Sequence, residues 1–105
     1  MFAVTRLRAE EKDGAALVDA VAALLEALSA RPGFRDGELG RSADAPDLWA
    51  LVTRWDGVGW YRRALSAYDV KVGAVPLLSR AVDEPSAYEI DDDSSRLNTA
   101  RPRGL

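Results

Sequence analysis

The stretch Leu48-Trp49-Ala50-Leu51-Val52-Thr53-Arg54-Trp55 decides the architecture. It contains no glycine or proline, is rich in β-branched and aromatic residues, and alternates with a period of two, so it reads as a strand. Leu48, Ala50 and Val52 share one face, and Trp49, Leu51 and Trp55 share the other. Apolar residues on both faces require both faces to be covered. Upstream, residues 42–47 contain Ser42, Asp44, Pro46 and Asp47 and read as a turn, with the two Asp side chains expected to accept bonds from backbone N–H groups. Before it, Asp36-Gly37 has the form of a two-residue hairpin turn, but the arms on either side would be too short. Residues 34–41 are therefore read as a glycine-containing strand.

Further toward the N-terminus the period changes. Leu17, Val21, Leu24 and Leu28 recur at helical spacing, with Val18 and Leu25 widening the stripe, which predicts a helix over 13–30. Asp13 is the expected N-cap, and Arg31-Pro32-Gly33 the stop. Residues 2–8 alternate and suit a strand. Downstream, Asp56 is the expected cap of a second helix over 57–67, with a further short helix or turn over 68–75 before Pro76. Residues 85–90 read as a last short strand. The order β-α-β-β-α-β is the split βαβ arrangement of a ferredoxin-like α+β sandwich. Two helices cover one sheet face only, so pairing of two sheets in a homodimer is the natural way to cover the other. One domain over 1–90 is expected, followed by an acidic, polar tail over 91–105 that is a candidate to cross to the partner.

The 105 residues carry fourteen Lys+Arg and seventeen Asp+Glu, for a net charge of −3, and include neither His nor Cys. Without His there is no Ser-His-Asp or Cys-His dyad, no His-ligated zinc, iron or haem, and no His general base. Without Cys there is no thiolate chemistry, iron–sulfur cluster or disulfide. Gly57-Val58-Gly59 follows a strand and opens a helix, but Arg62 stands where a dinucleotide fingerprint needs its third glycine. No haem, flavin or bound metal is therefore expected. The basic residues are scattered and the total is acidic, which argues against nucleic acid as a partner. An RNA-recognition domain shares the element order, but it needs a basic, aromatic-glycine motif where this chain has Leu48-Trp49-Ala50-Leu51-Val52. Arg6, Arg8, Glu10 and Glu11 interrupt the N-terminal segment, and the longest uncharged apolar run in the helix is residues 20–25, so a cytoplasmic protein without membrane contact is expected.

The remaining candidates are aromatic. Trp55 ends a strand, Trp60 and Tyr61 lie in the next helix, and Tyr68 follows at a spacing of seven from Tyr61. Neighbours in a helix point about 100° apart, so at most one of Trp60 and Tyr61 can face a given pocket. The group reads either as core and interface packing, or as the lining of a small apolar pocket whose few polar groups are a phenol and an indole N–H. Arg62 and Arg63 read as the solvated face of the second helix, and Arg54 as one arm of an exposed or subunit-pairing salt bridge.

Arg31-Pro32-Gly33-Phe34, the run Gly37-Glu38-Leu39-Gly40-Arg41-Ser42, the strand Leu51-Val52-Thr53-Arg54-Trp55 and Val75-Pro76-Leu77-Leu78 together resemble the antibiotic biosynthesis monooxygenase domain family over roughly residues 2–90. The resemblance implies a ferredoxin-like monomer paired into a dimeric α/β barrel, with a pocket between sheet and helices. It also implies an activity seen in that family, in which an electron-rich phenolate reduces O2 with no cofactor. Trp55 matches the Trp that ends the third strand, and Tyr61 a pocket tyrosine of the quinol-oxidising members, so these two are the expected catalytic residues. Leu51, Trp60 and Tyr68 are the expected substrate-binding residues. Leu51 stands where those enzymes carry a strand Asn, and the haem-degrading members need a His that this chain lacks. Three functions follow: a cofactor-independent monooxygenase of a small phenol, quinol or polyketide-like molecule, a non-catalytic barrel that binds a small aromatic ligand, and a purely structural or interaction module.

Overall fold

The computed structural model describes residues 1–91, so all but the first residue of the expected tail lies outside the described residues. Strand β3 (Leu48–Trp55) is flanked by β2 (Phe34–Arg41) and β1 (Phe2–Arg8), and the two-residue β4 (Ala87–Tyr88) pairs with the far side of β1. The order β2-β3-β1-β4 is antiparallel throughout. Helices α1 (Gly14–Ser29), α2 (Val58–Leu65) and α3 (Tyr68–Ala74) complete an α+β fold of the ferredoxin-like kind. The period-two reading of β3 sets the layers. Leu51, Thr53 and Trp55 are buried, and Leu51 and Trp55 belong to the core cluster with the α1 stripe Leu17, Val21, Leu24 and Leu28. The opposite face carries half-buried Val4, Ala50 and Val52. Within one chain the sheet is open and does not close into a barrel.

That second face is less uniformly apolar than expected. Arg54 meets Asp36 at 2.7 Å and Glu38 at 3.1 Å on β2, and Asp36 is its register partner, so its exposed salt bridge is a cross-strand charge pair within the chain. Arg6 grips Glu84 through two bonds of 2.7 and 2.6 Å. Hydrogen bonding to that guanidinium holds the Glu84 carboxyl below its ordinary range and raises Arg6, while the bonds to Asp36 and Glu38 raise Arg54.

Several local expectations are corrected. Asp13 makes no cap bond, because a 3-10 turn (Glu11–Asp13) runs directly into α1 and gives Asp13 φ −100° and ψ 0°. A capping side chain needs an extended backbone to reach back to the first free N–H groups; here the carboxylate lies 3.8 Å from Arg80. Asp56 does not cap α2 either, since it pairs with Arg35 at 2.6 Å and Gly57 occupies the cap position. In the 42–47 turn it is Ser42 Oγ that accepts from the N–H groups of Asp44 and Ala45, while Asp47 pairs with Arg8. The expected helix over 57–67 stops at Leu65, because Ser66 folds back on the Arg63 carbonyl and Ala67 is extended at φ −71°, ψ 139°. The last strand shrinks to two residues next to Pro85, which has no N–H to give the ladder. Residues 80–82 take up part of that edge instead: Arg8 N–H donates to the Arg80 carbonyl and Val82 N–H to Arg6.

The stop after α1 is stricter than its sequence suggests. Gly33 has φ +86°, and a Cβ there would lie 2.4 Å from Cβ and Cγ of Trp60. Gly33→Ala is expected to cost at least about 1–2 kcal/mol from the left-handed backbone alone. A lower denaturant midpoint at unchanged slope is the check.

Candidate functional site

A cavity of about 140 Å³ lies between the helix-facing side of the sheet and the helices. Its floor is Ala3 and Thr5 of β1 with Leu51 and Thr53 of β3. Leu24 and Leu28 of α1, Tyr61 of α2 and Val70 of α3 form its walls, and the exposed side chains Leu65 and Leu78 border it. The alternation of β3 and the stripe of α1 aim these residues at one another. The space is small and almost wholly apolar, apart from the hydroxyls of Thr5, Thr53 and Tyr61.

Trp55 is 1% exposed and stands behind Tyr61, with ring centroids 5.6 Å apart and planes at 61°. Its other neighbour is Phe34, edge-on at 5.2 Å. Its Nε1–H donates to Thr53 Oγ1 at 2.9 Å, a bond wholly inside the protein. The N–H expected to serve a ligand is therefore already engaged. Behind Trp55 a hollow of about 370 Å³ is bordered by Arg35, Asp56 and Glu89. It is a charged surface feature holding the Arg35–Asp56 pair, and the Trp55 ring is too enclosed to offer a ligand contact there.

Of the expected site residues, Tyr61 and Leu51 line the cavity, and Trp55 packs against Tyr61 without lining it. Trp60 and Tyr68 are not brought there. Trp60, one position from Tyr61, turns away to cover Gly33 and lies under the Arg63 guanidinium at 4.5 Å. Tyr68 opens α3 and is 78% exposed, since the break at Ala67 removes the continuous helix that could have aligned it with Tyr61. Thr53 was missed, although its signal was present: a polar residue between Leu51 and Trp55 on the face that the pattern buries. Thr53→Val is expected to cost about 1–3 kcal/mol, because it leaves the buried indole N–H without an acceptor. Thermal or urea unfolding of the variant measures it.

Among the described residues Tyr61 is the only titratable side chain on the cavity wall. Among the described residues its hydroxyl makes no hydrogen bond to protein, and no cluster of His, Cys, Asp or Glu is placed to hold a metal ion. No helix of the described residues is long and apolar enough to cross a membrane. The site can thus enclose an apolar ring and offer it hydroxyl groups, and among the described residues no carboxylate or ammonium lines it.

The family model for antibiotic biosynthesis monooxygenases matches residues 1–59, a span that holds Leu51, Thr53 and Trp55 and ends just before Tyr61. Among solved structures, the chain is similar to SnoaB, a cofactor-independent oxygenase from Streptomyces nogalater, at 19% identity and a TM-score of 0.73, covering 87% of this chain and 91% of that one. It is also similar to a proposed antibiotic biosynthesis monooxygenase from Deinococcus radiodurans, at 17% identity and a TM-score of 0.71, covering 87% and 92%. A conserved protein from Methanosarcina mazei Go1 has 16% identity and a TM-score of 0.66 over 82% and 84%. At these identities the likeness is one of fold. No curated protein sequence gives a significant match.

Proposed function

The chain belongs to the antibiotic biosynthesis monooxygenase family, and on that premise we propose that it is a cofactor-independent monooxygenase of a small electron-rich phenol or hydroquinone. The observation that carries this reading is the apolar cavity between sheet and helices with Tyr61 on its wall. Its volume of about 140 Å³ is close to that of an engineered protein cavity that holds benzene. The substrate proposed is accordingly a single ring, smaller than a fused polyketide.

The reaction needs no redox group from the protein. A phenolate is electron-rich enough to pass an electron to O2, and recombination at a ring C–H carbon forms a C–O bond. Loss of that hydrogen and cleavage of the O–O bond then leave a quinone carbonyl and release water. For a hydroquinone, one substrate and one O2 give one hydroxyquinone and one water, so the substrate supplies all the electrons. The protein's part is to exclude water, favour the anion and offer donors where charge develops. Tyr61 O–H is the donor proposed on the wall, and Leu51 sets the apolar floor.

The test is oxygen uptake by the purified chain with no added cofactor, using single-ring hydroquinones beside naphthohydroquinones and anthrones, with labelled oxygen to follow the atom into product. Uptake that is fastest for single rings, with label in the quinone, is expected. No uptake above the uncatalysed rate for any compound would overturn the reading. Leu51 favours one rival: an apolar side chain where the quinol-oxidising members carry an amide suits a barrel that binds an aromatic ligand without turnover.

We also take the protein to work as a cytoplasmic homodimer joined through the open sheet face, where Val4, Ala50 and Val52 form an apolar strip between the Arg54 and Arg6 ion pairs. Such an interface is expected to bury more than about 1,200 Å² in total. Light scattering at micromolar concentration is expected to return twice the chain mass of 11.4 kDa; the single-chain mass would overturn the dimer.

A further inference from the structure

Thr53 is 3% exposed, the only buried polar side chain among the described residues, and lies on the cavity floor. A buried hydroxyl is one donor and two acceptor sites. One acceptor site is taken: Trp55 Nε1–H points at Thr53 Oγ1 from 2.9 Å. An oxygen that receives a proton from one side turns its own O–H away from it. Among the described residues that O–H reaches no protein acceptor, because Thr53 takes part in no other side-chain hydrogen bond. The methyl group lies toward β2, 3.2 Å from where a Cβ on Gly37 would sit, which leaves the hydroxyl off the β2 side and within reach of Trp55, on a residue that lines the cavity. A buried donor without a partner costs free energy, and a ligand oxygen in the cavity would remove that cost.

We infer that Thr53 donates a hydrogen bond to the oxygen of the bound phenol, and that Trp55 is a positioning residue whose N–H turns the Thr53 hydroxyl toward that oxygen. The assignment rests on the cavity being the aromatic-binding site proposed above. It also gives the Thr53–Trp55 pair a place in specificity. At position 51 the floor offers only a leucine, and Thr53 is the next residue along β3 on the same face. A donor on the floor and Tyr61 on the wall would both meet an oxygen substituent of a single ring, and a ring with no oxygen would leave both unsatisfied. The cavity therefore selects for oxygenated rings over hydrocarbons of the same shape, and for the anion over the neutral phenol, since a hydrogen bond to a charged acceptor is the stronger one.

The experiment compares 4-nitrophenol with 4-nitrotoluene, which have nearly the same shape and differ in the oxygen. Affinities are measured by calorimetry on wild type, Thr53→Val, Thr53→Ser and Trp55→Phe, and the visible absorption of the nitrophenolate reports the ionisation of the bound ligand. Wild type is expected to prefer 4-nitrophenol and to lower its apparent pKa. Thr53→Val is expected to lose about tenfold or more in affinity for 4-nitrophenol, to return the bound pKa toward the free value, and to bind 4-nitrotoluene within about twofold of wild type. Thr53→Ser keeps the hydroxyl and is expected to keep the preference, whereas Trp55→Phe leaves the hydroxyl without its guide and is expected to weaken it. A general loss of packing would lower both affinities together and leave the bound pKa unmoved. If Thr53→Val binds both ligands as wild type does, the Thr53 assignment falls and the cavity remains the aromatic site. If wild type binds neither ligand, the cavity reading falls and takes the assignment with it. Should Thr53→Val fail to fold, wild type still decides: equal affinity for the two ligands and an unshifted pKa overturn the donor.

Discussion

Replacing Trp55 by alanine is expected to lower the folding free energy by about 3–5 kcal/mol, the range for truncating a large buried aromatic. The side chain is 1% exposed and among the largest fully buried ones in the described residues. It is the piece that joins three elements: Phe34 at the start of β2 packs edge-on against it at 5.2 Å, Tyr61 of α2 at 5.6 Å, and Thr53 of its own strand accepts its N–H. Truncation removes both aromatic contacts, opens a void beneath α2 and strands the Thr53 hydroxyl. A small domain has only about 5–15 kcal/mol in total, so the variant is expected to sit near the edge of folding at 37 °C. Trp55→Phe keeps most of the buried ring and is expected to lose much less. Guanidinium unfolding at matched slopes measures both, and an alanine variant within about 1 kcal/mol of wild type would show that the ring is not the keystone its burial implies.

Loss of turnover in Trp55→Ala would follow from loss of the fold alone, and says nothing about chemistry. A residue that touches the cavity while contributing little to the core is the informative one, and Tyr61 meets that description better than any other polar side chain there.

How far the sequence reaches can be judged residue by residue. The strand at 48–55 and the α1 stripe were legible because each is decided by local periodicity with many apolar residues agreeing. The opposition of Trp60 and Tyr61 was legible for the same reason: one residue is about 100° of helix, so burying one exposes the other. The Asp13 cap failed because a 3-10 turn takes away the extended backbone a cap needs, and the Asp56 cap because Arg35 of β2 takes the carboxylate. The break between α2 and α3 was visible only as an open alternative, since Ser66-Ala67 carries no proline or glycine to force it. Tyr68 was grouped with the pocket on a spacing that holds only in an unbroken helix. Thr53 is the one polar residue on the buried face of β3, and its role depends on a bond to Trp55 that spacing alone does not show.

Tyr61→Phe is expected to reduce turnover of the best phenolic substrate on the order of a hundredfold while leaving the fold nearly unchanged. Its hydroxyl has no protein partner among the described residues, so removing it strands no donor or acceptor, and the phenylalanine ring keeps the packing against Trp55. A surface or cavity hydroxyl of this kind is worth little to stability. In the reaction it is worth more, because negative charge must be held on the substrate oxygen in a site that no cation of the described residues lines. Losing one well-placed donor to such an oxyanion typically costs about 3 kcal/mol of transition-state stabilisation. The same charge argument sets the pH dependence. A free phenol ionises near pH 10 or so, and a donor that favours the anion lowers that value in the complex, so the rate is expected to rise with pH and to reach its plateau earlier in wild type than in Tyr61→Phe. Oxygen uptake across pH for the two proteins, with unfolding curves beside it, reads both effects. Equal rates would remove Tyr61 from the mechanism even if turnover is real. A lower plateau with an unshifted midpoint would mean that the tyrosine acts in the oxygen step, after the phenolate has formed.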